Sequence, residues 1–138
     1  MDELTGLDCF AEQQGFRVCR FPLPKTGSMS LLTEDGECFI GLDSSIPASL
    51  ADRTVHLAHE LGHCVTGSFY NRWAACDLRQ KHENRADRWA IRRLVDPERL
   101  YDDLAAGWTE PWELAERFGV TEPFMRRAMA YYLAPESA

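Results

Sequence analysis

The sequence predicts an α+β fold: a small antiparallel sheet packed on two long helices, with a C-terminal helical hairpin. Three observations lead there. Between residues 16 and 42, short segments alternate apolar and polar residues or run apolar, with turn residues between them. From residue 49 onward the apolar residues recur at helical spacing instead. Strands grouped together, with most of the helices after them, mark the α+β class.

At 138 residues and 45% hydrophobic, the chain can build one compact soluble domain without disulfide support. We divide it into a mainly sheet part (1–48), a central pair of helices (49–96) and C-terminal helices (97–138).

Residues 1–15 can form a short helix ending at Gly15. Phe16-Arg17-Val18-Cys19-Arg20-Phe21 alternates as a strand does, and Pro22 to Gly27 breaks it. Met29 to Leu32 reads as a second strand and Glu37 to Leu42 as a third. The Thr33-Glu34-Asp35-Gly36 turn between them suggests an antiparallel hairpin. Ser44 to Pro47 is a loop. Ser49 with Asp52 then makes a capping-box-like start, Asp standing in for Glu, for a helix that runs to about Thr66 and stops at Gly67. Leu50, Thr54, Leu57, Ala58, Leu61 and Val65 form its core-facing surface.

Ser68 to Asp77 is a loop carrying Phe69, Tyr70 and Trp73. A second helix, about 78–95, places Ala86, Trp89, Ala90 and Leu94 on one face. Its other face holds Arg79, Lys81, Arg85, Arg88, Arg92 and Arg93, read as a solvated stripe that could also dock an acidic protein surface. Asp96-Pro97 ends it and starts a short helix through Ala106, with Pro97 in the first turn. Two more helices follow, one from Thr109-Glu110-Pro111-Trp112 and one from Glu122-Pro123. The Gly119-Val120-Thr121 turn between them resembles a helix-turn-helix. Its glutamates (Glu110, Glu113, Glu116, Glu122) outnumber Arg117, Arg126 and Arg127, and phosphate attraction supplies much of a DNA binder's affinity. We therefore expect this unit to pack on the body or to meet a protein, and expect no DNA binding.

The net charge of −7 argues equally against an anionic-membrane binder. No apolar run approaches membrane-spanning length, and the acidic Met1-Asp2-Glu3 start leads into no signal-peptide core. Cys9, Cys19, Cys38, Cys64 and Cys76 are odd in number and lack CxxC spacing, which predicts free thiols in a reducing cytoplasm. Cys64 reads as a small core residue.

The chemistry lies in His59-Glu60-Leu61-Gly62-His63, an HExxH motif. Positions four apart on a helix lie on one face, so both imidazoles can point at one metal ion. Glu60 faces the same cleft, where it could take a proton from the water that attacks a peptide carbonyl. A catalytic zinc needs a third protein ligand. In HExxHxxGxxH enzymes it is a downstream histidine, but here Thr66 and Phe69 hold the corresponding glycine and histidine positions. Glu83, on the second helix, can complete a His-His-Glu set, and Asp87, one turn on, can orient a ligand histidine through its free ring N–H. Such residues can also be plain surface groups. The apolar flanks of the motif, the Gly67 stop and the paired Glu83 and Asp87 weigh against that. His56, one turn ahead of the motif, reads as a surface residue in preference to a partner of Glu60. Tyr70, and after it His82, could stabilise the oxyanion of a tetrahedral intermediate, although packing of the loop accounts for both.

Ala58-His59-Glu60-Leu61-Gly62-His63, followed by Glu83-Asn84-Arg85-Ala86-Asp87 running into Trp89-Ala90, resembles the ImmA/IrrE group of small zinc metallopeptidases. The resemblance spans about residues 36–134 and is most specific in 55–67 and 82–95. It implies a zincin-like fold and Zn2+ as cofactor. It also implies His59, His63 and Glu83 as metal ligands, Glu60 as catalytic base, and a phage or mobile-element repressor as protein substrate. Arg85 departs from the family pattern, where many members have a second glutamate; that puts local charge and substrate preference in doubt but not the ligand set. In zincin-like proteases an edge strand beside the active-site helix pairs with the extended substrate, and residues 37–42 are the candidate strand here, a plain structural strand being the alternative. A regulator that binds a repressor without cutting it is the alternative function.

Overall fold

The computed structural model describes residues 2–45, 48–70 and 75–134. In chain order run α1 (Glu3–Gln14), β1 (Arg17–Phe21), β2 (Ser28–Leu32), β3 (Cys38–Asp43), α2 (Leu50–Thr66) and α3 (Cys76–Leu94). After them come α4 (Pro97–Ala105), α5 (Pro111–Phe118) and α6 (Glu122–Leu133). The fold is α+β, as the segregation of strands and helices predicts. Among the described residues, no helix is long and apolar enough to cross a membrane.

The sheet has the order β1-β3-β2, with β2 antiparallel to β3 and β1 parallel to it. The hairpin expected of β2 and β3 is present, but the sheet is mixed and not wholly antiparallel. It also makes β3 the central strand, which corrects the expectation that residues 37–42 form the edge beside the site. The cause is composition. β3 buries Cys38, Ile40 and Leu42 and carries no charge before its last residue, so it gains most from a neighbour on each side. β1 carries Arg17 and Arg20 and is mostly exposed, as suits an edge. Residues 22–27 lead from one edge to the other and leave the gap that β3 fills.

α2 begins as its sequence predicts. The Ser49 hydroxyl accepts from the Asp52 amide and donates to the Asp52 carboxylate, and Gly67 closes the helix. Its buried face comprises Thr54, Leu57, Ala58 and Leu61, with Glu60, Gly62 and His63 also buried. Leu50 and Val65 are exposed at the two ends, so this face is shorter than the apolar periodicity predicts. The core that α2 shares with α1, β3, α3 and the C-terminal helices includes Leu7, Ile40, Leu94, Leu114 and Phe124.

α3 crosses α2 at very close range. A Cβ on Gly62 would collide with the carbonyl of the buried Ala86, so the glycine within the HExxH motif is what lets the two helices touch. On its far side α3 meets α6, where the Tyr132 hydroxyl donates to the Val95 carbonyl (2.7 Å) and Arg92 donates to the Tyr131 hydroxyl. The basic residues Arg79, Lys81, Arg85, Arg88, Arg92 and Arg93 are all exposed.

Cys38 on β3 and Cys64 on α2 form a disulfide, their Cα atoms 6.0 Å apart. This corrects the expectation of five free thiols; Cys9, Cys19 and Cys76 remain free. The pair is 26 residues apart in the chain and meets only because the sheet lies on the helix.

Candidate active site

Two helices and one strand build the site. His59 and His63 lie one turn apart on α2, their ring centroids 4.9 Å apart. The Gly62–Ala86 contact brings α3 alongside, and Glu83, one turn before Ala86, reaches across. Its carboxylate lies 2.7 Å from His59 Nε2 and 3.3 Å from His63 Nε2. One donor atom from each of these three residues falls within 4.8 Å of the others. Two imidazole nitrogens and a carboxylate oxygen are a donor set suited to Zn2+.

The histidines are pre-set for such a role. His63 is buried, and its Nδ1 is hydrogen-bonded to the Ser68 carbonyl. A carbonyl only accepts, so Nδ1 carries a hydrogen, and Nε2, which faces Glu83, is the ring atom left for a metal. Sequence reasoning gave this orienting task to Asp87. The structure gives it, for His63, to a backbone carbonyl just beyond the helix stop at Gly67. Both Asp87 oxygens are bonded by Arg127 of α6, at 3.1 and 3.3 Å.

The electrostatics follow from these contacts. The hydrogen bond from His59, then that from His63, holds the Glu83 carboxyl well below the usual carboxylate range, against the effect of its burial. Burial alone would push His63 down, but Glu83 and the Ser68 carbonyl together raise it. The Tyr70 hydroxyl donates to Glu83 at 2.7 Å, and that bond pushes its pKa up to about 12.

A cleft of about 490 Å³ opens over this cluster. Glu60 faces it but is only 6% exposed, and its Oε2 accepts from the Ser28 hydroxyl of β2 at 2.7 Å. Tyr70 lines the cleft, whereas His82 stacks behind the Tyr70 ring with a centroid separation of 6.1 Å. Trp73 lies outside the described residues. Arg127 also reaches the cleft, so α6 forms part of its wall.

Three contributors escaped the sequence reading: Ser28, Ser68 and Arg127. None lies in a motif, and their places depend on how β2, the α2–α3 loop and α6 fold back. His56 is half-buried and bonded to Ser28 (2.9 Å), so it is more than the surface residue its position suggests.

The edge beside the site is β2. Gly27 accepts from the Asp43 amide and Thr33 donates to the Glu37 carbonyl, which fixes the alternation along the pair. Residues 27, 29, 31 and 33 bond toward β3. The peptide groups of Ser28, Ser30 and Leu32 therefore face the free edge.

No curated protein matches the chain. The model of the IrrE N-terminal-like domain, Peptidase_M78, matches residues 11–129. With that match spanning most of its length, the chain belongs to the Peptidase_M78 family of metallopeptidases.

Proposed function

We propose that the protein is a zinc-dependent endopeptidase that cuts one peptide bond in a regulatory protein, a phage or mobile-element repressor. The observation that carries the reading is the convergence of His59, His63 and Glu83 beside the buried carboxylate of Glu60, in a cleft bounded by a strand with a free edge. His59 and His63, through Nε2, and Glu83 would hold the metal. When bound, Zn2+ supplies Lewis acidity, polarising the scissile carbonyl and acidifying water toward neutrality.

The chain's own residues do the rest. An extended substrate adds to β2 through the outward peptide groups of Ser30 and Leu32 and lies across the mouth of the cleft. Glu60 removes a proton from the attacking water and delivers it to the departing amine nitrogen, so the carboxylate is regenerated at each turnover. Tyr70 lines the cleft, and its hydroxyl, on leaving Glu83, would donate to the oxygen that gains charge.

A repressor substrate implies a cytoplasmic setting. DNA is not a partner in this reading: Arg126 is paired with Glu122, Arg127 with Asp87, and the chain is acidic overall. The test is to mix the zinc-loaded chain with candidate phage and mobile-element repressors and to look for new termini by mass spectrometry. Fragments formed by the wild type, and absent with chelator or with Glu60→Gln, support the reading. A stable complex with an intact repressor would replace it with the non-cleaving regulator.

A further inference from the structure

Glu60 is buried deeply enough that each of its oxygens needs a partner, and Ser28 supplies one. Ser28 is itself only 8% exposed, and its Oγ lies 2.7 Å from Glu60 Oε2 and 2.9 Å from His56 Nδ1. The direction of this chain is fixed by counting protons. An ionised carboxylate can only accept, so the single Ser28 proton goes to Glu60. The Ser28 oxygen must then accept from His56, whose hydrogen is on Nδ1. The order is His56 Nδ1–H to Ser28 Oγ–H to Glu60 Oε2.

The backbone is arranged around the same contact. His56 and Glu60 stand four apart on α2 and share a face. Gly27, at φ +74, precedes Ser28 and lies flat against the His56 ring; a Cβ there would come within 2.8 Å of Cε1. Only glycine takes this backbone conformation while leaving the imidazole its place.

We propose that Ser28 is a positioning residue for the general base. It holds Oε2 of Glu60, a residue that lines the cleft, so that Oε1 serves the attacking water, and His56 locks the Ser28 hydroxyl in the one rotation that serves Glu60. The proposal rests on the reading of Glu60 as the base. A buried carboxylate with both oxygens free to rotate would present the wrong lone pair for part of the time, and that loss falls on turnover and not on substrate binding.

The test uses the full chain as wild type, Ser28→Ala and Ser28→Thr. Long-range 1H–15N spectra of the metal-free protein, at a pH where imidazoles are neutral, read the His56 tautomer. The expected result is Nδ1–H in the wild type and in Ser28→Thr, and a shift toward the Nε2–H form in Ser28→Ala. With the cleaved repressor as substrate, Ser28→Ala should lose about 10- to 100-fold in kcat with KM within about twofold. Its zinc affinity, by chelator competition, should stay within about threefold of wild type, and Ser28→Thr should recover most of kcat. An Nε2–H tautomer in the wild type overturns the directed chain. An unchanged kcat in folded Ser28→Ala overturns the positioning role and leaves Ser28 as a filler of hydrogen-bonding capacity. A wild type with the Nδ1–H tautomer that cuts no repressor overturns the peptidase reading instead, so the two failures are distinct.

Discussion

At the scale of single residues, the two carboxylates of the site have opposite surroundings and hence different roles. Glu83 is bonded by His59, His63 and Tyr70, which hold it ionised and suit it to a cation. Glu60 has Ser28 on one oxygen, which in the proposed mechanism leaves the other for proton transfer. Glu60→Gln keeps shape and volume but cannot accept a proton. It should retain about one zinc per chain by elemental analysis while cleavage falls about 10²- to 10⁴-fold. The metal-free protein should also report the His–Glu attraction through pH. Glu83 is lowered from 4.5, so its contribution is complete above that value and fades as pH falls through the folded value. His63 is raised from 6.5, so its contribution is complete below that value and fades as pH rises through the folded value. Both describe one attraction, so urea midpoints of metal-free protein should peak between about 4.5 and 6.5. Zinc reverses the alkaline limb, because protons compete with the metal for the imidazoles.

At the scale of elements, the site depends on how closely α3 approaches α2. Gly62→Ala would gain about 1 kcal/mol of helix propensity. It would also drive a methyl group into the Ala86 carbonyl, and overpacking costs about 1–3 kcal/mol. We expect a net loss of stability in urea unfolding and, because Glu83 rides on α3, a zinc affinity at least tenfold weaker. The Asp87–Arg127 pair joins α6 to the same helix one turn on from Glu83. With Arg127 half-exposed, Arg127→Ala should cost only about 0.5–1 kcal/mol and leave zinc content unchanged. A large loss of metal in that variant would mean that α6 positions Glu83, a stronger role than a surface ion pair can supply. The sheet shows how element-level reading falls short. Alternation and turn residues find each strand within a residue or so, yet strand order depends on which strand gains most from two neighbours, and that is decided among all three together.

At the scale of the whole molecule, the Cys38–Cys64 bond closes a 26-residue separation between the central strand and the active-site helix. Loop closure of that size corresponds to about 3–4 kcal/mol in a chain-entropy account. Denatured, unreduced protein should therefore react with about three equivalents of thiol reagent, from Cys9, Cys19 and Cys76, and reduction should raise the number to about five. Thermal unfolding should shift to lower temperature on reduction while the helical circular dichroism of the folded state persists. Five reacting thiols before reduction would show that the two sulfurs are in contact but unbonded. The same tertiary arrangement makes α6 a wall of the cleft, so the last helix belongs to the architecture of the candidate site.

The class of fold, the caps and extent of α2, and the three metal-ligand candidates were legible in the chain alone. These follow from local rules: helical spacing puts His59 above His63, and the Ser49 and Gly67 signals act within one turn. Glu83 was legible because its helix can be read next to the first one. The rest came from tertiary structure: β3 at the centre and β2 at the edge, the Cys38–Cys64 bond, the Ser68 carbonyl on His63, and Ser28 between His56 and Glu60. Each of these joins groups from separate elements. Whether two such groups meet depends on the packing of every element between them, and no pattern within either segment records it.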